Sequence, residues 1–155
     1  MRKRIVSHST QPVTSDNQNW LDLESMAQVE LTSEDSANPI EGALTAGAGW
    51  RAAQAGEQTI RILFDEPQQI RRIHLEFREK EQERTQEFVL RWSADGGQSY
   101  REIVRQQYNF SPPDTTDELE DYAVELEGVT SLELKIVPDI SGGESRASLA
   151  QLRLA

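Results

Sequence analysis

The stretch Arg105-Gln106-Gln107-Tyr108-Asn109-Phe110-Ser111-Pro112-Pro113 gathers a guanidinium, three planar amides and two aromatic rings ahead of two consecutive prolines. A hydroxyl-rich ligand asks for that mixture, because Arg, Asn and Gln supply paired donors and acceptors while an aromatic ring stacks on an apolar C–H face. Read as a loop that follows a strand and is stiffened by its prolines, the stretch loses less entropy on binding. Arg105, Gln107, Tyr108 and Asn109 are therefore candidate carbohydrate contacts, with Tyr108 as the stacking platform. The competing reading is that Tyr108 and Phe110 only close one end of a β-sandwich.

Ingredients for catalysis are thin. Of the two histidines, His8 falls in an aperiodic Ser/Thr/Gln/Pro-rich stretch. His74 is out of phase with Ile73 and Leu75, which reads as a surface or cross-strand residue, not a metal ligand or general base. Ser93 and Ser111 have no G-x-S-x-G context. With 27 Asp and Glu in the chain, chance carboxylate pairs are inevitable, and none stands out for glycoside hydrolysis. Gly96-Gly97 and Gly142-Gly143 lack the lysine and helix start of a phosphate loop and read as turns. Zero cysteines exclude disulfides, thiolate nucleophiles and cysteine-ligated zinc. The expectation is a non-enzyme without metal or cofactor.

The elements that would position these residues follow from period-2 alternation in a chain of 155 residues, one domain's worth. Residues 1–25 read as an arm, with Asp16 capping a short helix over Asn17 to Ser25. Residues 26–155 read as the domain. Met26 to Leu31 opens the strands. Ile60-Ile62-Phe64, Ile73-Leu75-Phe77 and Phe88-Leu90-Trp92 follow, then Tyr100 to Val104, Tyr122-Val124-Leu126, Leu132-Leu134-Ile136 and Leu149-Leu152-Leu154. Turn signals at Asp65-Glu66-Pro67 and Ser93 to Gly97, and a charged loop from Arg78 to Arg84, separate them. Eight strands without long helices specify an all-β antiparallel sandwich.

The order of several pieces resembles the discoidin-like domain of coagulation factors and bacterial carbohydrate-binding modules. They are Ala43-Leu44 with Trp50 a few residues on, Gln58 to Pro67, Ile70 to Phe77, Phe88 to Gly97 followed by Tyr100, and Leu134 to Pro138 with Gly142-Gly143 and Ala147 to Leu152. The resemblance spans about residues 26–155 and implies an eight-stranded jelly roll that holds a sugar in the loops at one end. It singles out Arg78, at the end of the Ile73 strand, as a donor to ligand hydroxyls. Arg84 across the loop would converge on it, with Glu87 as its orienting partner; surface ion pairs to Glu79 or Glu83 are the alternative. Trp50-Arg51 is a further candidate, although the family's tryptophan here usually packs in the core. Many members hold calcium with acids in the turn that here reads Thr45-Ala46-Gly47-Ala48-Gly49 and with a closing Glu that here is Gln151. Glu41 alone would bind calcium weakly, so no metal is implied.

A net charge of −11 argues against nucleic acid, and no apolar run is long enough for a membrane span. The chain reads as a soluble cytoplasmic protein. Nine acids within residues 114–139 against Lys135 alone predict one strongly negative edge, a second route to a protein partner.

Overall fold

The computed structural model describes residues 19–155; His8, Asp16 and Asn17 lie outside them. The strands are Ala27–Leu31 (β1), Trp50–Ala55 (β2), Gln58–Arg78 (β3), Arg84–Ser93 (β4), Arg101–Phe110 (β5), Asp117–Val137 (β6), Arg146–Leu149 (β7) and Gln151–Leu154 (β8). The ladders between them are antiparallel. Single helical turns at Leu23–Met26 (α1) and Glu41–Leu44 (α2) precede β1 and β2.

Among the described residues the strands number eight, as expected of an all-β sandwich, but their boundaries are drawn differently. Two expected pairs fuse, since the Ile60 and Ile73 triplets are halves of β3, and the Tyr122 and Leu132 triplets are halves of β6. Asp65-Glu66-Pro67 bends the chain without reversing it. Pairing to β6 is irregular between Leu63 and Arg72, and Gly128 lies in this bend at a φ of 69° that L side chains seldom adopt. Strand β2 is one that alternation does not announce, and Ala150 divides the closing strand into β7 and β8.

The bend sends the two halves of each long strand into different layers. The first half of β3 pairs with β1 and with the second half of β6, which continues to β4 and β5. The second half of β3 pairs with the first half of β6 and with β8. The core lies between these layers, where Phe77 of one meets Phe88 of the other at 5.2 Å between ring centroids. Ile60, Ile62, Ile73, Leu75, Leu90, Leu134 and Ile136 fill it, all buried. Trp92 is only half-buried and carries Arg101 on its ring at 5.9 Å.

The outer face of the first layer carries alternating charge across five strands. Glu30, Arg61, Glu133, Arg91 and Glu102 are successive partners in register from β1 to β5. Glu133 is buried and takes Arg61 Nε at 2.8 Å and Arg91 Nη1 at 3.2 Å.

On the outer face of the second layer, His74 is buried, not surface-exposed. Its ring nitrogens lie 3.0 Å from Asp121 Oδ2 and 2.9 Å from Glu76 Oε2, and the Trp20 ring covers it at 5.9 Å. Asp121 also accepts two bonds from Arg72. Leu23 reaches the core, and Leu21 N–H donates to the Leu154 carbonyl at 2.8 Å. Residues 20–23 thus pack on the sandwich. Among the described residues no trio of His, Asp or Glu is arranged to hold a metal.

Candidate functional site

The loop from β3 to β4 organises the end of the sandwich, and Glu79 organises the loop. Its Oε2 accepts the backbone N–H groups of Glu81 and Gln82 at 3.0 and 3.2 Å, and its Oε1 accepts Arg84 Nε at 2.7 Å. Burial alone would push this carboxyl up, but those three donors outweigh it and hold it below the usual glutamate range.

Arg78 and Arg84 bracket this loop and face different surroundings. Arg84 is buried; its Nη1 donates to the Pro138 carbonyl at 2.6 Å and to Gln86 Oε1 at 2.7 Å, and its guanidinium lies 5.0 Å from the Phe110 ring centre. Gln86, fully buried, passes the network on by donating to the Tyr108 hydroxyl at 2.6 Å. Arg84 therefore does not converge on Arg78 at a ligand, because its polar atoms are taken by the framework, and its expected partner Glu87 takes Arg105 instead. Arg78 donates through Nε to Asp117 Oδ1 at 2.8 Å while half of its side chain stays in solvent. That bond holds the Asp117 carboxyl below its usual range.

A cleft of about 240 Å³ opens beside Arg78. Its walls come from four places in the chain: Asn38, Trp50 with Arg51 at the start of β2, Arg78 to Glu81, and Ser148 of β7. Glycines let these segments approach, since a Cβ on Gly49 would come within 2.9 Å of the Leu149 carbonyl oxygen. Trp50 is a wall from the inside only. It is 2% exposed and its Nε1 donates to the Ser33 carbonyl, which matches the packing role the resemblance implies. Arg51 and Lys80 are exposed and line the cleft.

The residues from Arg105 to Asn109 are not in a loop. They form the second half of β5, in register with Val89 to Thr85 of β4, and the two prolines come after the strand, in the Ser111 to Thr115 turn. Alternation divides the group. Tyr108 points inward, its ring centroid 5.9, 6.2 and 5.3 Å from those of Phe77, Phe88 and Phe110. It therefore closes the end of the sandwich, half-buried against three rings and not raised as a platform, and burial pushes its hydroxyl far above the ordinary tyrosine range. Arg105 and Gln107 point out from β5, Arg105 paired with Glu87 and Glu102. Asn109 accepts the Thr85 hydroxyl at 2.5 Å in a shallow polar hollow of about 450 Å³ on the other side of the loop from Arg78, shared with Ser111, Asp139 and Ser141. The structure thus brings Arg78 together with Arg51 and Lys80, and not with Arg105, Gln107 or Asn109. All three Trp, three Tyr and four Phe lie among the described residues, and none is exposed.

The acids of residues 114–139 do not form one edge either. Asp117 serves Arg78, Asp121 serves Arg72 and His74, and Glu133 sits in the charge row of the first layer. Glu118 and Glu120 share the face of their register partners Phe77 and Leu75, which looks into the sandwich. The Tyr122 hydroxyl donates to Glu120. A hydrogen bond between the two carboxyls, reinforced by partial burial, pushes Glu118 up to about 7. Carboxyls in direct contact are closer than the roughly 5 Å or more that glycoside hydrolysis needs. Ser93 is likewise engaged in a turn, bonding Asp95 and accepting Gly97 N–H.

Among the cleft residues, Asn38 and Ser148 carry no local signal in the sequence. They reach the site only because β2 and β7 pair beside the end of β3.

No family model and no curated protein sequence matches the chain. Solved structures do match in fold. A CBM32 of AlyQ in complex with 4,5-unsaturated mannuronic acid superposes with a TM-score of 0.64 at 15% identity, over 89% of this chain and 98% of that one. The family 32 module of Clostridium perfringens NanJ in complex with galactose gives 0.64 at 11% identity, over 87% and 96%. XRCC1, solved bound to the DNA polymerase β catalytic domain, gives 0.60 at 17% identity, over 84% and 96%. The fold is the discoidin-like, galactose-binding-like sandwich that the resemblance implies.

Proposed function

We propose that this domain is a non-catalytic saccharide-binding module whose ligand enters the cleft beside Arg78. One observation carries the reading: Arg78 stands at a concave polar mouth, half in solvent, with its head aimed by Asp117 from the neighbouring strand. A guanidinium fixed in this way offers paired donors to ring hydroxyls at little ordering cost. Asn38 and Ser148 add further hydrogen-bonding capacity. At about 240 Å³ the cleft is smaller than the ~300–1,000 Å³ of drug-sized sites and suits one sugar ring with the remainder in water. With no exposed aromatic among the described residues to stack upon, affinity rests on hydrogen bonds and charge and is modest. Saccharide complexes on the same fold support the reading. Arg78→Ala, screened on a glycan array and by calorimetry, is expected to lose about tenfold or more in affinity with the fold intact. Unchanged binding overturns the site.

A protein partner is the second reading, favoured by the fold neighbour that was solved bound to a protein. Such a partner would be basic and would meet the exposed Glu125 and Glu127. Its association would weaken steeply with salt, whereas binding of an uncharged sugar would scarcely respond.

A further inference from the structure

The chemistry of the cleft mouth is unusual for this molecule. The chain has 27 acids against 16 Lys and Arg. Among the described strands Arg61 and Arg91 pair with Glu133, Arg72 with Asp121, Arg84 with Glu79 and Arg105 with Glu87, while Arg71, Arg101, Arg146 and Arg153 form no ion pair but do not line the cleft. At the cleft three cations, Arg51, Arg78 and Lys80, line one small concavity. Among the described residues Arg51 has no side-chain partner, and Lys80 forms no ion pair, although it lies within electrostatic reach of Asp117.

The acids of the cleft do not cancel this charge evenly. Glu79 is committed to Arg84 and to two backbone donors, and Asp117 to Arg78. Glu81 is the exposed carboxylate that remains. Among the described residues only Arg78 of the three cations has an ion-pair partner, and the unpaired Arg51 and Lys80 that line the cleft with it are what an anionic ligand would complete. Arg51 is a guanidinium, whose planar fork matches a carboxylate bidentately. The fold accepts both a charged and a neutral sugar in its neighbours, so the class must come from this chain's own side chains.

We propose that the cleft is selective for saccharides bearing a carboxylate, that is, uronic acid residues. Arg51 and Lys80 receive the carboxylate, and Arg78 holds ring hydroxyls. This rests on the reading that the cleft binds a saccharide.

The test compares short oligomers of galacturonate, mannuronate and glucuronate with their methyl esters by calorimetry. The esters keep the shape and hydroxyls and remove the charge. At least one uronate is expected to bind about tenfold more tightly than its ester, with affinity falling between 50 mM and 500 mM salt while that of the ester holds. Arg51→Gln with Lys80→Gln, both at exposed positions, is expected to bring the ratio of acid to ester toward one. Equal binding of acid and ester overturns the selectivity and leaves the saccharide reading standing. A ratio unchanged in the double variant overturns the assignment to Arg51 and Lys80. Binding of none of the oligomers, charged or neutral, by the unmodified domain, which is then also silent on the glycan array, overturns both.

Discussion

The cleft mouth at Arg51, Arg78 and Lys80 and the β5 edge from Arg105 to Asn109 present similar chemistry, guanidiniums among carboxylates and amides, to different ends. At the mouth, four segments distant in the chain line one hollow. On β5, regular pairing with β4 sends alternate residues to opposite faces, so Tyr108 enters the core while Arg105 and Gln107 spread outward over solvent. Residue types that favour ligand contact therefore become a site only where backbone crossings make them converge. Between the two regions, Arg84 and Gln86 form a buried polar bridge from Glu79 to Tyr108.

If the bridge is framework and the mouth is site, Arg84→Ala gives the largest loss of stability. It strands the Glu79 carboxylate and the Gln86 carbonyl oxygen without their common donor and is expected to cost about 3–5 kcal/mol in urea unfolding; a cost like that of an exposed pair would merge the two arginines into one category. Tyr108→Phe removes only the acceptor for Gln86 and should cost about 1–2 kcal/mol, with saccharide binding unchanged. Loss of binding there would restore Tyr108 as a contact.

The Glu118–Glu120 pair gives a pH signature that belongs to neither region. Glu118 has its folded value raised to about 7 from an ordinary 4.5, so the native state holds more protons than the unfolded chain between those values. Its contribution to stability is accordingly present at low pH and lost as pH rises through about 7. Thermal melts should show Tm falling over that window, and Glu118→Gln should flatten the fall and raise Tm at pH 8. A Tm that rises with pH in the variant-sensitive part of the curve would mean the carboxyls do not share a proton. The smallest effects are expected at the β5 edge. Arg105→Ala and Gln107→Ala should each change stability by no more than about 0.5 kcal/mol and leave binding untouched, and any loss of saccharide affinity there would break the contrast drawn above.

Alternation makes the core legible in the sequence. Ile60, Ile62, Ile73, Leu75, Phe77, Phe88 and Leu90 are buried in the phase their spacing predicts, because a strand has only two faces and one must be dry. The resemblance also isolates Arg78, which lies where a strand leaves its sheet. The Tyr108 reading fails for a physical reason. Polar residues with a following Pro-Pro look like a loop, yet an edge strand exposes one face and tolerates amides and arginine there as readily as a loop does. Arg51 is a candidate in the sequence beside Trp50, but its place next to Arg78, with Asn38 and Ser148, is not legible there, since these residues meet only through the pairing of β2 with β7. His74 is the cross-strand residue its phase allows, in register with Asp121 and in contact with it, but Trp20 buries the position that alternation would leave to water.

The row of five charges running from Glu30 to Glu102 also limits which misfolded pairings are tolerable. Sliding one ribbon by two residues would preserve the greasy side of the sheet but set the buried Glu133 against uncharged neighbours or strand an arginine, so the penalty falls on alignments that hydrophobicity alone would accept. In a sheet assembled from segments far apart in the chain, those charges act as proofreaders of alignment.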